Sequence, residues 1–372
     1  MAVMALAAVQ ANADGWYMEV GSGFGDPDNI KVKSLCVFDG QLYAGTHNNN
    51  GCQIWQRSPV VGRSCWSVIS TGGFGDSWNT AALSMAEFSY FLGTWHHNLY
   101  VGTYNFHSGG GQVWAFDGST WFQAASAGFG SSDNTGVVAL AVFGSNLYAG
   151  TQNADSGAEI WHFTGVTWAC DMSGGFGSAS NNMISSLVVH DGKLYASTYH
   201  PDGGEIWMSS DGSVWQRAVP AGFFSGTSGN GVSSMVSAGG ALYAAAVSNV
   251  TGTQIWRIRP QPELLVAPSG FGSVQDYSGS AMVEYEGQLY VATHNTGTGS
   301  EVWRFQAGHW EQVNEDGFGD VSSMETPALA VQGYLFAGVW NTATGAELWY
   351  LPVIFADGFE SGSTNAWSTV IP

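Results

Sequence analysis

The sequence predicts an all-β fold: a seven-bladed β-propeller of four-stranded antiparallel blades, with the N-terminal strand completing the last blade. Three recurring motifs carry that prediction. A Gly-Phe pair places phenylalanines at Phe24, Phe74, Phe129, Phe176, Phe223, Phe271 and Phe318, in steps of 50, 55, 47, 47, 48 and 47 residues. A Leu-Tyr/Phe pair followed by small residues begins at Leu42, Leu99, Leu147, Leu194, Leu242, Leu289 and Leu335. Gln or Glu, one aliphatic residue and Trp end at Trp55, Trp114, Trp161, Trp207, Trp256, Trp303 and Trp349. The order never changes, and a period near 47 residues is that of a propeller blade.

The repeat over 183–223 shows the strands in order. Met183 to His190 is an apolar run suited to the innermost strand, A. Asp191-Gly192 turns the chain into strand B, Leu194 to Thr198. A loop from Tyr199 to Gly204 leads to strand C, Glu205 to Ser209. Asp211-Gly212 is a hairpin turn, and Val214 to Val219 forms strand D. Small pairs in strand B, such as Ala44-Gly45, Val101-Gly102 and Ala149-Gly150, let neighbouring sheets approach closely.

Closure follows from a fixed offset. Trp66, Trp121, Trp168, Trp215 and Trp310 each stand eight residues before the Gly-Phe phenylalanine, and Trp16 stands eight before Phe24. Gly15 to Val20 therefore reads as a D strand without its own A, B and C. Met324 to Leu351 holds A, B and C without a D, so the two ends make one blade and leave no open sheet edge. The fifth repeat departs from the pattern, with Glu263 at the Trp position beside Arg259-Pro260-Gln261-Pro262.

Composition agrees with short strands and tight turns. The 372 residues include 52 Gly and 17 Trp, with only 10% charged, the opposite of a disordered chain. The formal charge of −20 repels phosphate backbones and anionic headgroups, so nucleic acid is not an expected partner. No apolar run reaches the length of a membrane span. Residues 1–13 are small and apolar and end in Ala11-Asn12-Ala13, which reads as a secretory signal cut before Asp14. The basic start of such a signal is missing, and a buried N-terminal strand or helix is the alternative. The expected organisation is a signal remnant at 1–13, the propeller at 14–351 and a tail at 352–372, in a secreted, periplasmic or cell-surface monomer. Cys52 and Cys65 flank one predicted hairpin and are expected to pair, whereas Cys36 and Cys170 are expected as buried thiols.

These repeats resemble those of secreted bacterial seven-bladed propellers. The Phe-Gly pair is similar to FG-GAP repeats, although the calcium loop of that family is absent from every repeat. Ser209-Ser210-Asp211-Gly212-Ser213-Val214-Trp215 resembles the Asp-box of sialidase propellers, which implies a structural turn. Phe355-Ala356-Asp357-Gly358-Phe359-Glu360-Ser361-Gly362, followed by Trp367-Ser368, resembles a C-terminal tail of secreted Gram-negative proteins. Such a resemblance implies a fold and not an activity.

Chain direction puts the D-to-A and B-to-C loops on one face of the disc, the usual place for binding on a rigid scaffold. Asn and Asp recur there and fit turn-holding roles, with calcium at Asp26 and Asp28 as the competing reading and no other cofactor indicated. The Gln or Glu two residues before each Trp reads as a hydrogen-bonding side chain. The central residue of the Thr-X-Asn motif varies while its flanks agree: His47, Tyr104, Gln152, Tyr199, Val247, His294 and Trp340. Aromatic and imidazole groups offer a flat apolar face with a polar edge, suited to stacking on a sugar ring. They equally suit packing against the next blade. His47, Tyr104, Gln152, Tyr199, His200, His294 and Trp340 are the expected ligand-binding set, for a glycan or another extracellular ligand. A polysaccharide lyase or glycoside hydrolase on the same face is the first alternative, with His200, His47, His294, Tyr199 and Tyr104 as acids and bases and Arg257 and Arg304 nearby in sequence pattern. Propeller lyases of acidic polysaccharides resemble this set. A protein-interaction or surface-structural disc is the second alternative. No nucleophile elbow, zincin motif or P-loop is present.

Overall fold

The computed structural model describes residues 15–60, 63–107, 109–219, 231–259, 263–264 and 270–352. The expected signal at 1–13, the tail motifs from Phe355 onward, Phe223 and Pro260-Gln261-Pro262 lie outside the described residues.

All described strand pairs are antiparallel, and they fall into meanders that follow the sequence repeat. β1 (Tyr17–Val20) precedes the first meander, β2 (Asn29–Phe38), β3 (Gln41–Asn48), β4 (Ile54–Val60) and β5 (Arg63–Ser70). Next come β6 (Ala81–Leu92), β7 (Thr94–Tyr104), β8 (Val113–Phe116) and β9 (Trp121–Ala125). β10 (Gly136–Phe143), β11 (Asn146–Gln152), β12 (Ile160–Phe163) and β13 (Trp168–Met172) form another. They are followed by β14 (Met183–His190), β15 (Lys193–Tyr199), β16 (Ile206–Ser209) and β17 (Gln216–Arg217). Then come β18 (Gly231–Ala238), β19 (Ala241–Val247), β20 (Gln254–Ile258) and β21 (Glu263–Leu264). β22 (Asp276–Tyr285), β23 (Gln288–Asn295), β24 (Val302–Gln306) and β25 (His309–Gln312) lead to β26 (Ser323–Gln332), β27 (Tyr334–Asn341) and β28 (Gly345–Leu351).

The B-type strands are buried along nearly their whole length, as in Leu42 to Thr46 of β3, because neighbouring meanders cover both faces. Gly45 shows why small residues stand there: a Cβ would meet Ala82 Cβ of the next meander at 2.7 Å. Gly338 of β27 makes the same approach to Val32 of β2, at 2.6 Å, so the last repeat packs on the first.

The Gly-Phe motif is a short left-handed turn. Phe24, Phe74, Phe129, Phe176 and Phe318 all have φ between 54° and 61°, a region that disfavours a bulky L-residue. Ring packing compensates. Phe74 stacks on Trp114 at 5.0 Å and meets Trp121 edge-on at 4.9 Å, one Trp from strand C and one from strand D of the following meander. Phe318 repeats the arrangement with Trp349 at 5.2 Å and Trp16 at 5.3 Å. Trp16 also donates its indole N–H to Val313 O at 2.6 Å, as Trp121 donates to Ile69 O and Trp168 to Ala124 O. β1 pairs with β28, Tyr17 facing Tyr350.

The cysteine expectations need correction. Cys52 and Cys65 are free: register places Cys65 opposite Ser58, while the Cys52 carbonyl accepts from Gly73 N. Cys52 is buried and Cys65 exposed, so they occupy different environments. Cys170 is exposed on a D-type strand instead of buried, and Cys36 is half-buried.

Candidate functional site

The B-to-C loop of one repeat and the D-to-A loop leading into the next are tied together by backbone hydrogen bonds. Asn48 N donates to Thr80 O, Cys52 N to Asn79 O and Gly73 N to Cys52 O. Both loop types therefore share one face, and an amide network holds them there. Asn29 Nδ2 donates to Gln53 Oε1 and Gly23 O, and Trp55 Nε1 donates to the same Gln53 oxygen. Asn79, Gln112 and Trp114 repeat this triad, as do Asn134, Glu159 and Trp161. The Gln or Glu before each Trp thus orients the indole and caps the loop.

Asp26 and Asp28 belong to this network. Asp26 accepts from Asp28 N, Asn48 Nδ2 and Gln53 Nε2, and Asp28 accepts from Asn50 Nδ2. No group of three His, Cys, Asp or Glu side chains with metal-binding geometry occurs among the described residues. His200 Nδ1 accepts from Asp202 N, which holds a local turn. Asp211 accepts from Ser213 N and Val214 N, closing the hairpin turn, and these bonds depress its carboxyl to about 2.

The variable Thr-X-Asn residues share one environment. All seven are half-buried, and all but Tyr199, which His200 follows, stand between buried flanks. His47, Tyr104, Gln152, Tyr199 and His294 each face the first residues of the next A-type strand, opposite Ala81, Gly136, Met183, Gly231 and Glu325. Their backbones link one meander to the next, so the position is partly architectural.

Two side-chain clusters form there. The first is charged. Lys31 Nζ pairs with Glu325 at 3.1 Å and lies 4.4 Å from the Trp340 ring centroid. His294 contacts Trp340 edge-on at 5.9 Å and shares a 3.0 Å hydrogen bond with the Tyr277 hydroxyl. Burial, helped by Lys31 and Lys33, pushes His47 down to about 4. Burial also lowers His294 against the pull of Glu325, so both imidazoles are neutral at pH 7. Burial would raise Glu325, but Lys33, Lys31 and His294 outweigh it and hold the carboxyl at about 2. Lys31, Lys33, Glu325 and Tyr277 escaped the sequence reading. The signal was present: where other repeats carry Ala81, Gly136, Met183, Gly231 and Ser278, these carry Lys31 and Glu325.

The second cluster is aromatic and exposed. Trp78 of a D-to-A loop stacks beside His107 at 4.1 Å and meets Phe106 edge-on at 5.7 Å. Phe106 also lies 6.0 Å from Tyr104. Trp78 is 42% exposed and Phe106 56%. The clusters adjoin, because Ala81 pairs with His47 on one side and Tyr104 on the other. No side-chain hydrogen bond or ring contact joins Gln152, Tyr199 or His200 to either cluster among the described residues. The carboxylates Asp276 and Glu301 lie together, but they are 0% and 6% exposed and face no open surface. Arg304 is taken by Glu311 at 2.5 Å, and Arg257 lies over the Tyr243 ring.

Comparison with known proteins places this geometry. No family model matches the sequence, and no curated protein matches it. Among solved structures, the chain is similar to the WD40 β-propeller domain of Doa1, with a TM-score of 0.55 at 10% identity over 90% of this chain and 96% of that one. It is also similar to a chain of the mitotic checkpoint complex, with a TM-score of 0.55 at 10% identity over 94% and 99%. A nidogen/laminin complex chain matches with a TM-score of 0.44 at 11% identity over 73% and 92%. The chain has a β-propeller fold. No described helix is long and apolar enough to cross a membrane.

Proposed function

We propose that the chain is a closed seven-bladed propeller, exported from the cell, that binds a saccharide chain on the face of its B-to-C and D-to-A loops. Closure is supported by Trp16 taking the D-strand seat on Phe318 and by Gly338 packing on Val32. The binding reading rests on one observation, the solvent-facing platform of Trp78, Phe106 and His107 beside Tyr104. Exposed aromatic rings fixed by a rigid scaffold give apolar area at low entropic cost, and their polar edges reach hydroxyl groups.

The test is a glycan array followed by calorimetry with the best neutral oligosaccharide. Trp78→Ala and Phe106→Ala are expected to weaken binding about tenfold or more, from loss of roughly 1–3 kcal/mol of stacking. Wild-type affinity in both variants would refute the platform. Retention of an intact segment before Asp14 in extracellular protein would count against the expected cleavage.

A further inference from the structure

The charged cluster asks for a ligand group that the aromatic platform does not. The chain carries nine Lys and Arg against 29 acidic residues, yet two of its cations stand two residues apart on β2. At the position of Lys33 the other repeats carry Leu83, Val138, Ser185, Ser233, Ser280 and Pro327, so the charge is no part of building the repeat. Lys31 is spent on Glu325. Lys33 makes no hydrogen bond or close ion pair among the described residues and meets Glu325 only through the field. It is half-buried on β2. Two lysines against one carboxylate leave Lys33 without a close anionic partner in a half-buried site. Burial disfavours the ammonium form of Lys33, and an incoming anion would reverse that penalty. Neutral His47 and His294 bring imidazole nitrogens, with His294 Nε2 already engaged by the Tyr277 hydroxyl and only its Nδ1 left, and Trp340 brings a ring face. A charge beside hydroxyl-binding imidazoles and an indole matches a sugar that carries its own carboxylate.

We propose that Lys33, with Lys31, His47, His294 and Trp340 around it, is a subsite for the carboxylate of an acidic sugar. The proposal rests on the saccharide reading above: the acidic residue enters this subsite while a neighbouring residue lies on the Trp78 platform, across the His47–Ala81–Tyr104 row.

Lys31, Lys33 and Lys193 are all the lysines of the sequence, so reductive ¹³C-methylation gives a short, assignable set of resonances. Lys33→Arg provides the assignment. The full chain is titrated with methyl glucuronide, methyl glucoside and acetate. Methyl glucuronide is expected to raise the Lys33 pKa by about one unit or more and leave Lys193 unmoved. The glucoside is expected to leave Lys33 unmoved, and acetate to act only at far higher concentration. In unmodified protein, Lys33→Met is expected to weaken glucuronide binding about tenfold or more. A Lys33 signal silent to glucuronide, or one that acetate moves equally well, overturns the subsite. Trp78→Ala separates the two proposals. If it leaves saccharide affinity intact while Lys33 still responds, the platform fails and the subsite stands. If Trp78→Ala weakens binding while Lys33 stays silent, the subsite alone fails.

Discussion

Replacing Asp276 with Asn is expected to stabilise the protein at neutral and alkaline pH and to have little effect near pH 4.5. Four other repeats carry Asn29, Asn79, Asn134 and Asn181 at this position, each donating Nδ2 to a Gln or Glu of strand C. Asp276 has no such donor, and it faces Glu301, a carboxylate already receiving the Trp303 indole N–H at 2.7 Å. Asp276 Oδ2 is buried with no other partner, which fits a proton held between the two acids. Burial, and then the Asp276 charge, push Glu301 from 4.5 up to about 7. Asp276 is raised in the same direction by burial.

A raised folded pKa means that the unfolded chain binds fewer protons between pH 4.5 and 7, so stability falls as pH rises through that window. At about 1.4 kcal/mol per unit, the Glu301 shift corresponds to about 3 kcal/mol. Asp276→Asn supplies the missing donor and removes the part of that loss that comes from the Asp276 charge, leaving the larger part due to burial. Urea unfolding followed by tryptophan fluorescence, for wild type and variant from pH 4.5 to 8.5, reads the difference directly. A gain of about 1–2 kcal/mol at pH 8 that shrinks towards pH 4.5 is expected. A variant no more stable than wild type at pH 8, or a gain independent of pH, would refute the shared-proton account.

Trp16→Ala is expected to cost about 3–5 kcal/mol, since it removes a fully buried ring against Phe318 and the bond to Val313; a melting curve within about 1 kcal/mol of wild type would sink the closing role. Gly338→Val is expected to lose about 1–3 kcal/mol or more through collision with Val32, read as a lower thermal midpoint. Joint replacement of Phe91 and Trp95 by Ser, at the 63% and 75% exposed tip of the long β6–β7 hairpin, is expected to leave stability within about 0.5 kcal/mol in the same melt.

The repeated residues were legible because each does the same task in every copy. The A strand read as Met183 to His190 is found at those residues, and the Trp-to-Phe offset located Trp16 without any structure. Where the sequence reading faltered, the cause was register or three-dimensional adjacency. Sequence spacing put Cys52 near Cys65, but antiparallel pairing slides Cys65 opposite Ser58. The Thr-X-Asn list treated its members as one ring, whereas side-chain chemistry gathers His47, His294 and Trp340 with Lys31, and joins Tyr104 to Phe106. Lys33 and Glu325 sit in strands that otherwise read as core, so a search confined to loops passed over them. Trp78 and Phe106 lie in loops that were read for their Asp and Asn residues and for the central residue of Thr-X-Asn, so neither ring was picked out.

The pairing of β1 with β28 has a consequence for how the chain comes into being. Trp16 and Val313 are 297 residues apart, so β1 must wait, unpaired, until Val313 and then β28 have been made. Once β28 is made, and until β1 docks on it, it presents a free ladder to any strand of matching pattern, and the nearest supply is the first strand of another copy. Crowded synthesis would then yield chains linked head to tail, each lending its opening strand to its neighbour, in place of molecules complete in themselves.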